Sequence, residues 1–166
     1  MLVRRYRSFR YACIVGIAIP VLLAIPARDA FAQQITLSNA RGLDFGRFVA
    51  SSGGTVVLNP AGLRSRTGGV VLLNSPGAGQ AAFNVAKFSN GNGNKAIIIS
   101  LPSNGATRLT SGTNSMNVVT FVRSPGTLQT VPNSGTTLSV GATLTVAPNQ
   151  APGSYSGTFP LTVNFQ

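Results

Sequence analysis

The sequence predicts an all-β domain, an antiparallel sandwich or barrel of roughly nine short strands. Three observations carry that prediction. Beyond residue 33 no stretch repeats its apolar residues with a helical period. Gly and Pro punctuate the chain, 19 and 10 of them in 166 residues, and Val, Ile, Thr and Phe fill the intervals, as short strands between turns require. The last stretch, Gly153 to Gln166, alternates: Tyr155, Phe159, Leu161, Val163 and Phe165 fall on odd positions, Ser154, Ser156, Thr158, Thr162 and Asn164 on even ones. Period two sends successive side chains to opposite faces, so a half-buried terminal strand is expected here.

The first 32 residues are of another kind. Arg4, Arg5, Arg7 and Arg10 precede an almost wholly apolar run from Tyr11 to Ala27, and Ala30-Phe31-Ala32 fits a small-x-small cleavage site. This is the pattern of a secretory signal peptide cut after Ala32. A single membrane anchor is the alternative, but a run of about 17 residues is at the bottom of the spanning range, and Pro20 and Pro26 interrupt it. Residues 33–166 are then expected to form one domain.

Taken in order, Ile35 and Leu37 alternate with polar neighbours in a first short strand, and Leu43 and Phe45 share a face. Phe48 and Val49 lead to a turn at Ser51-Ser52-Gly53-Gly54, and Thr55–Leu58 is a strand closed by Asn59-Pro60-Ala61-Gly62. Leu63–Thr67 is polar, a loop or edge, and Val70–Leu73 is a strand ending before Ser75-Pro76-Gly77-Ala78-Gly79. Ala82–Phe88 and Ala96–Leu101 flank Asn90-Gly91-Asn92-Gly93, a strong hairpin signal because Asn and Gly tolerate positive φ. Ile97-Ile98-Ile99 is apolar on both faces, which predicts a central strand covered on both sides. Thr107–Thr110, Met116–Val122 and Leu128–Val131 are further strands. Leu138, Val140, Ala142, Leu144 and Val146 alternate across Gly141, one long strand with a bulge expected at the glycine. Pro160 cannot donate a backbone hydrogen bond, so it fits the terminal strand only on an unpaired side or at a bulge.

The side-chain inventory excludes most chemistry. Residues 33–166 hold no His, Cys or Trp, and Asp44 is their sole acid. General acid–base work draws on His or carboxylates, glycoside hydrolysis on two carboxylates, and zinc or calcium sites on clusters of ligands. None of these sets is present, so no enzyme, cofactor or metal is expected. Asp44 is expected to be a turn or hydrogen-bonding residue. Against it stand Arg41, Arg47, Arg64, Arg66, Lys87, Lys95, Arg108 and Arg123, leaving +7. They are scattered and not interleaved with aromatics, so a nucleic-acid partner is not expected; surface charge for solubility is the plain reading, with attraction to acidic surfaces second.

Leu43-Asp44-Phe45-Gly46 and Gly153-Ser154-Tyr155-Ser156-Gly157-Thr158-Phe159 resemble the two signatures of a family of secreted bacterial β-domains known only as a domain of unknown function. That family is itself similar to the spore-coat-protein-U-like subunits of archaic chaperone–usher pili. Val140–Val146 resembles its glycine-containing penultimate strand. The resemblance implies an immunoglobulin-like sandwich that lacks its final strand and receives one from a chaperone or from the next subunit, the strand-addition mode of recognition. In such subunits a glycine fourteenth from the end and an aromatic next to last mark the terminal strand; Gly153 and Phe165 stand there.

The residues themselves fit that scheme. A terminal strand with an apolar face and no strand after it leaves an unpaired edge. The candidate acceptor is therefore Gly153, Tyr155, Phe159, Leu161, Val163 and Phe165. The candidate donor is Gln33–Ala40, with Ile35 and Leu37 as anchors. Expected partners are other copies or related subunits, with a periplasmic chaperone and outer-membrane usher implied by the resemblance. Localisation is expected in the periplasm and then at the cell surface or outside, with membrane contact during export alone. The alternative is a self-contained, monomeric secreted adhesion or glycan-binding module. Its contacts would come from polar loops such as Ser75–Gln80 or Pro102–Ser115, and its Ile35 and Leu37 would pair within their own chain.

Overall fold

The computed structural model describes residues 34–88, 96–128, 131–132 and 134–165. The expected signal peptide, the Asn90–Gly93 turn, Lys95 and Gln166 lie outside the described residues. Nine strands, all antiparallel, occur within them: β1 (Gln34–Arg41), β2 (Phe48–Leu58), β3 (Arg64–Leu72), β4 (Ala81–Phe88), β5 (Ile97–Ser100), β6 (Thr107–Ser111), β7 (Asn114–Ser124), β8 (Thr136–Val146) and β9 (Thr162–Phe165). There is no helix among the described residues. The fold is an all-β antiparallel sandwich, as its periodicity predicts.

The other strands are arranged around β8. Its alternating apolar residues, Leu138, Val140, Ala142, Leu144 and Val146, are all buried. One edge of β8 pairs with β7. The other edge is shared by two strands placed end to end: β2 pairs with Ala142–Val146 and β4 with Thr136–Val140. Gly141 lies between the two ladders. A Cβ there would overlap the Leu58 carbonyl oxygen and stand 2.7 Å from the Asn59 carbonyl carbon. The glycine is thus not a bulge in β8, as the sequence suggests; it leaves room for the chain to cross as it departs from β2.

The bulges are in the neighbouring strands. The expected turn at Ser51–Gly54 is instead a register shift inside β2, where the ladder to β3 jumps from Ala50 to Gly54. Gly53 and Gly54 take φ of 80° and 150°, so extra residues are looped out while the pairing continues. In β7 the shift lies between Val119 and Val122. Thr120 takes a positive φ of 51° there, uncommon for a β-branched residue, and its N–H is held by Asn104 Oδ1 at 2.7 Å. The kink turns Phe121 towards both cores.

The stretch read as a loop or edge, Leu63–Thr67, enters β3, an edge strand. Arg64 and Arg66 stand opposite buried Leu58 and Val56 on its core-facing side. Inward-facing charge on an edge strand discourages pairing with a stranger. Several of the arginines expected to be plain surface charge are also struts. Arg64 donates to the carbonyls of Phe45 (3.0 Å) and Leu73 (2.7 Å), Arg41 to that of Gly77 (2.9 Å), and Arg123 to those of Gly126 and Ile99.

Two cores result. The first gathers Phe45, Val56, Leu58, Val70, Met116, Val118, Leu144 and their neighbours. The second packs β4 and β8 against a two-stranded sheet, β5–β9, together with Leu128 and Val131. Two expectations are corrected here. Ile97–Ile99 is not a central strand covered on both sides: Ile98 is 48% exposed, and among the described residues β9 is the one strand that pairs with it. The opposite edge of β5 is closed locally by the bond from Ile97 N to Leu128 O (3.0 Å) and by Arg123 on the Ile99 carbonyl. Leu128, the first residue of the expected Leu128–Val131 strand, makes that bridge; Gln129 and Thr130 lie outside the described residues. The terminal strand is also shorter than its alternation suggests, beginning at Thr162. Pro160 lacks an N–H, and before it only Ser156 pairs, in an isolated bridge to Thr110. Burial nevertheless alternates as expected, with Tyr155, Phe159, Leu161, Val163 and Phe165 half-buried and Thr158, Thr162 and Asn164 exposed.

Candidate functional site

The residues expected to donate and accept a strand come close together. β1 lies at the edge of the large sheet, paired along its length with β4. Ile35, Leu37 and Asn39 stand opposite Lys87, Val85 and Phe83, so they share the core-facing side of the ladder. Val85 is fully buried, yet Leu37 beside it is 37% exposed. Leu37 is thus partly open to solvent on the face that carries Val85. Ile35 alone of the two expected anchors packs against the second core.

Across the gap runs β9, which approaches β1 without a ladder between them. The Ile97 N–H points to Leu128, away from β9. In an antiparallel pair this makes Ile97–Phe165 and Ile99–Val163 non-hydrogen-bonded pairs, so the N–H and C=O groups of Val163 and Phe165 face away from β5. They form a free edge, with no strand paired to it among the described residues. Between the sheets the seam continues into a cavity of about 250 Å³ lined by Asn39, Leu43, Phe83, Thr107 and Phe159, among others. Thr107 Oγ1 is buried there without a hydrogen-bond partner.

The acceptor residues divide between the two cores. Phe159, Leu161, Val163 and Phe165 pack on the second. Phe159 is the pin: its ring meets Phe83 edge-on at 6.0 Å and Phe121 at 5.2 Å. Tyr155 packs on the first. Its hydroxyl donates to the Ala151 carbonyl (2.7 Å) and accepts from Gln150 Nε2 (2.8 Å). A tyrosine bonding back to the backbone a few residues upstream is the corner arrangement of immunoglobulin-like sandwiches. Tyr155→Phe is expected to lower stability by about 1 kcal/mol, read as a shift of the urea midpoint with unchanged slope; an unchanged midpoint would mean that the corner holds nothing. Gly153 is exposed, and a Cβ on it would stand 2.6 Å from Ser111 Oγ.

The two signature stretches also face each other across a second, larger groove of about 970 Å³ at one end of the sandwich. Leu43–Ala50 forms one wall, Gln150–Gly157 another, and Ser75–Ala78 the rim. Asp44 shapes the first wall. Its Oδ1 accepts the Gly46 N–H at 2.7 Å, and its backbone bridges Gly79 in both directions, so it is the turn residue the sequence suggests. Of the polar loops named as contact surfaces, Ser75–Gln80 contributes to this rim. Pro102–Ser115 is instead mostly the β6–β7 hairpin. Asn39, Thr107, Leu109 and Gln150, which line or support these openings, carry no sequence signal that sets them apart.

A family model described as Domain of unknown function (DUF4402) matches residues 35–165. The chain belongs to that family. The match spans both signature stretches and every strand from Ile35 to Phe165. No curated protein and no solved structure matches the chain.

Proposed function

We propose that this DUF4402 chain is a non-enzymatic structural subunit of a surface fibre or coat, exported and joined to its neighbours by a donated strand. The observation that supports this best is the open seam: Leu37 on the inner face of β1 is partly exposed, and the edge of β9 beyond it has no strand paired to it among the described residues. β1 is held by its ladder to β4, by half-buried Ile35 and by the bond from Arg41 to the Gly77 carbonyl. Full burial of a large aliphatic side chain contributes roughly 1.5–3 kcal/mol, and Leu37 realises only part of that. In the proposed assembly β1 leaves its own β4 and enters the seam of the next copy, between β4 and the edge of β9. Each copy gives one strand and receives one. A chaperone that lends a strand before assembly, and an usher that catalyses the exchange, are the partners this scheme needs.

The test fuses a second copy of Gln33–Ala40 after Gln166 through a flexible linker. Size-exclusion chromatography and thermal unfolding then compare it with the parent exported chain. The expected result is a polymeric or loosely folded parent and a stable, monomeric fusion. A parent that is already a cooperative monomer, with a Tm the extra strand does not move, rejects the subunit reading. That outcome would favour a self-contained secreted adhesion module, a reading supported by the pairing of β1 with its own β4, which runs from Gln34 to Arg41 with one register shift after Asn39.

A further inference from the structure

We propose that the larger groove, between Leu43–Ala50 and Gln150–Gly157, binds an acidic polysaccharide, with Arg47 holding a carboxylate of the sugar. Among the described residues the charged side chains that line this groove are Arg47 and Asp44. Asp44 Oδ1 is committed to the Gly46 N–H. Arg47 is exposed, and among the described residues its guanidinium makes one long bond, 3.4 Å, to the Asn74 carbonyl. At that length the bond is weak, and a guanidinium has five N–H donors in a planar fork matched to a carboxylate. Arg41 and Arg64 reach the same rim through the Gly77 and Leu73 carbonyls. Arg47 in the lining, with Arg41 and Arg64 behind the rim, thus stands against one acid, so the charge there complements an anion.

The remaining chemistry of the groove selects the kind of anion. Its floor is apolar, with Phe45, Met116 and Leu144 belonging to the first core. Ser75, Ser154 and Gln150 stand along its walls. A sugar ring offers an apolar C–H face and an edge of hydroxyls, which fits that combination. Single-stranded nucleic acid would require exposed aromatic faces for stacking, but Tyr155 is half-buried with its hydroxyl bonded on both sides. A lipid surface would draw on the two exposed apolar side chains of the lining, Val49 and Leu73, and the vesicles below test for it.

Isothermal titration of the exported chain at about 0.15 M salt, where long-range attraction is screened, tests this. The probes are oligogalacturonate, the neutral galactose oligomer of equal length, single-stranded DNA and anionic phosphatidylglycerol vesicles. Oligogalacturonate is expected to bind at least about tenfold tighter than each of the other three, one charge-assisted bidentate contact being worth that much. Arg47→Gln is expected to remove that preference. Arg66→Gln, which makes the same change of charge on β3 away from the groove, is expected to leave it. Both variants change exposed side chains, and an unchanged Tm for each confirms that the fold is kept. If Arg47→Gln lowers Tm, Arg47→Lys replaces it: full binding by the lysine variant overturns the planar-fork assignment. Equal weakening by the two glutamine variants, DNA or vesicles binding as tightly as oligogalacturonate, or no binding of oligogalacturonate each overturns the proposal.

Discussion

Gly141→Ala is expected to destabilise the domain by about 3 kcal/mol or more, the upper range for forcing an atom into a filled site. The obstruction is backbone, not a movable side chain. A Cβ at 141 would overlap the Leu58 carbonyl oxygen and crowd Asn59 and Pro60, with the Pro60 nitrogen at 2.9 Å. Those atoms cannot retreat cheaply. Leu58 is the last residue of the β2 ladder to β8, and its side chain is 1% exposed in the first core. The Asn59 side chain fixes the turn that follows by accepting the N–H groups of Ala61 (3.0 Å) and Leu63 (2.9 Å). Relief would therefore separate β2 from β8 or move β4, which takes over the same edge at Val140. Total stability of such a domain is typically 5–15 kcal/mol, so the loss should appear as a large fall in the urea midpoint. Gly126→Ala is the control, since no atom lies within 4 Å of a Cβ there. Equal midpoints for the two variants would show that the crossing at Gly141 is not as close as described.

Phe159→Ala is expected to cost about 2–3 kcal/mol, below the 3–5 typical of a fully buried aromatic because Phe159 is half-buried. The ring ties the segment before β9 to two separate strands, Phe83 of β4 and Phe121 of β7. Such aromatic pairs contribute beyond their buried area. Its removal also enlarges the 250 Å³ cavity that the ring lines. The loss should begin locally: β9 has four residues and one paired edge, so it can detach before the large sheet opens. Amide exchange at Thr162 and Asn164, which face β5, should accelerate in the variant while that of Leu138 and Leu144 in β8 changes less. Uniform acceleration across both strands would contradict a local role for the pin.

Much of the fold was legible because strand periodicity is local. The alternation in Leu138–Val146 and in Tyr155–Phe165 correctly marks which side chains are buried, since the pleat alone decides the face. Asp44 as a turn residue was legible for the same reason: its partner, the Gly46 N–H, is two residues away. Errors arose where a residue's role depends on a distant one. Gly141 suggests a bulge to anyone reading β8 alone; its purpose lies in Leu58–Pro60. Three consecutive isoleucines suggest a central strand covered on both sides, yet Ile97 and Ile99 point into the second core and Ile98 to the opposite, exposed face. Arg41, Arg64 and Arg123 look like loose surface charge until the carbonyls they bridge, 9 to 36 residues away, are placed beside them.

The candidate sites follow the same division. By itself the sequence determined the all-β class, the apolar faces of the strands, the scarcity of catalytic groups and the pairing potential of its first and last strands. These follow from composition and a two-residue period. Tertiary structure alone decided that β1 and β9 flank one open seam, and that Leu43–Ala50 and Gln150–Gly157 face each other across a groove. Ninety-nine residues, 51–149, lie between the two walls of that groove, and only the order in which strands pair along β8 brings them together.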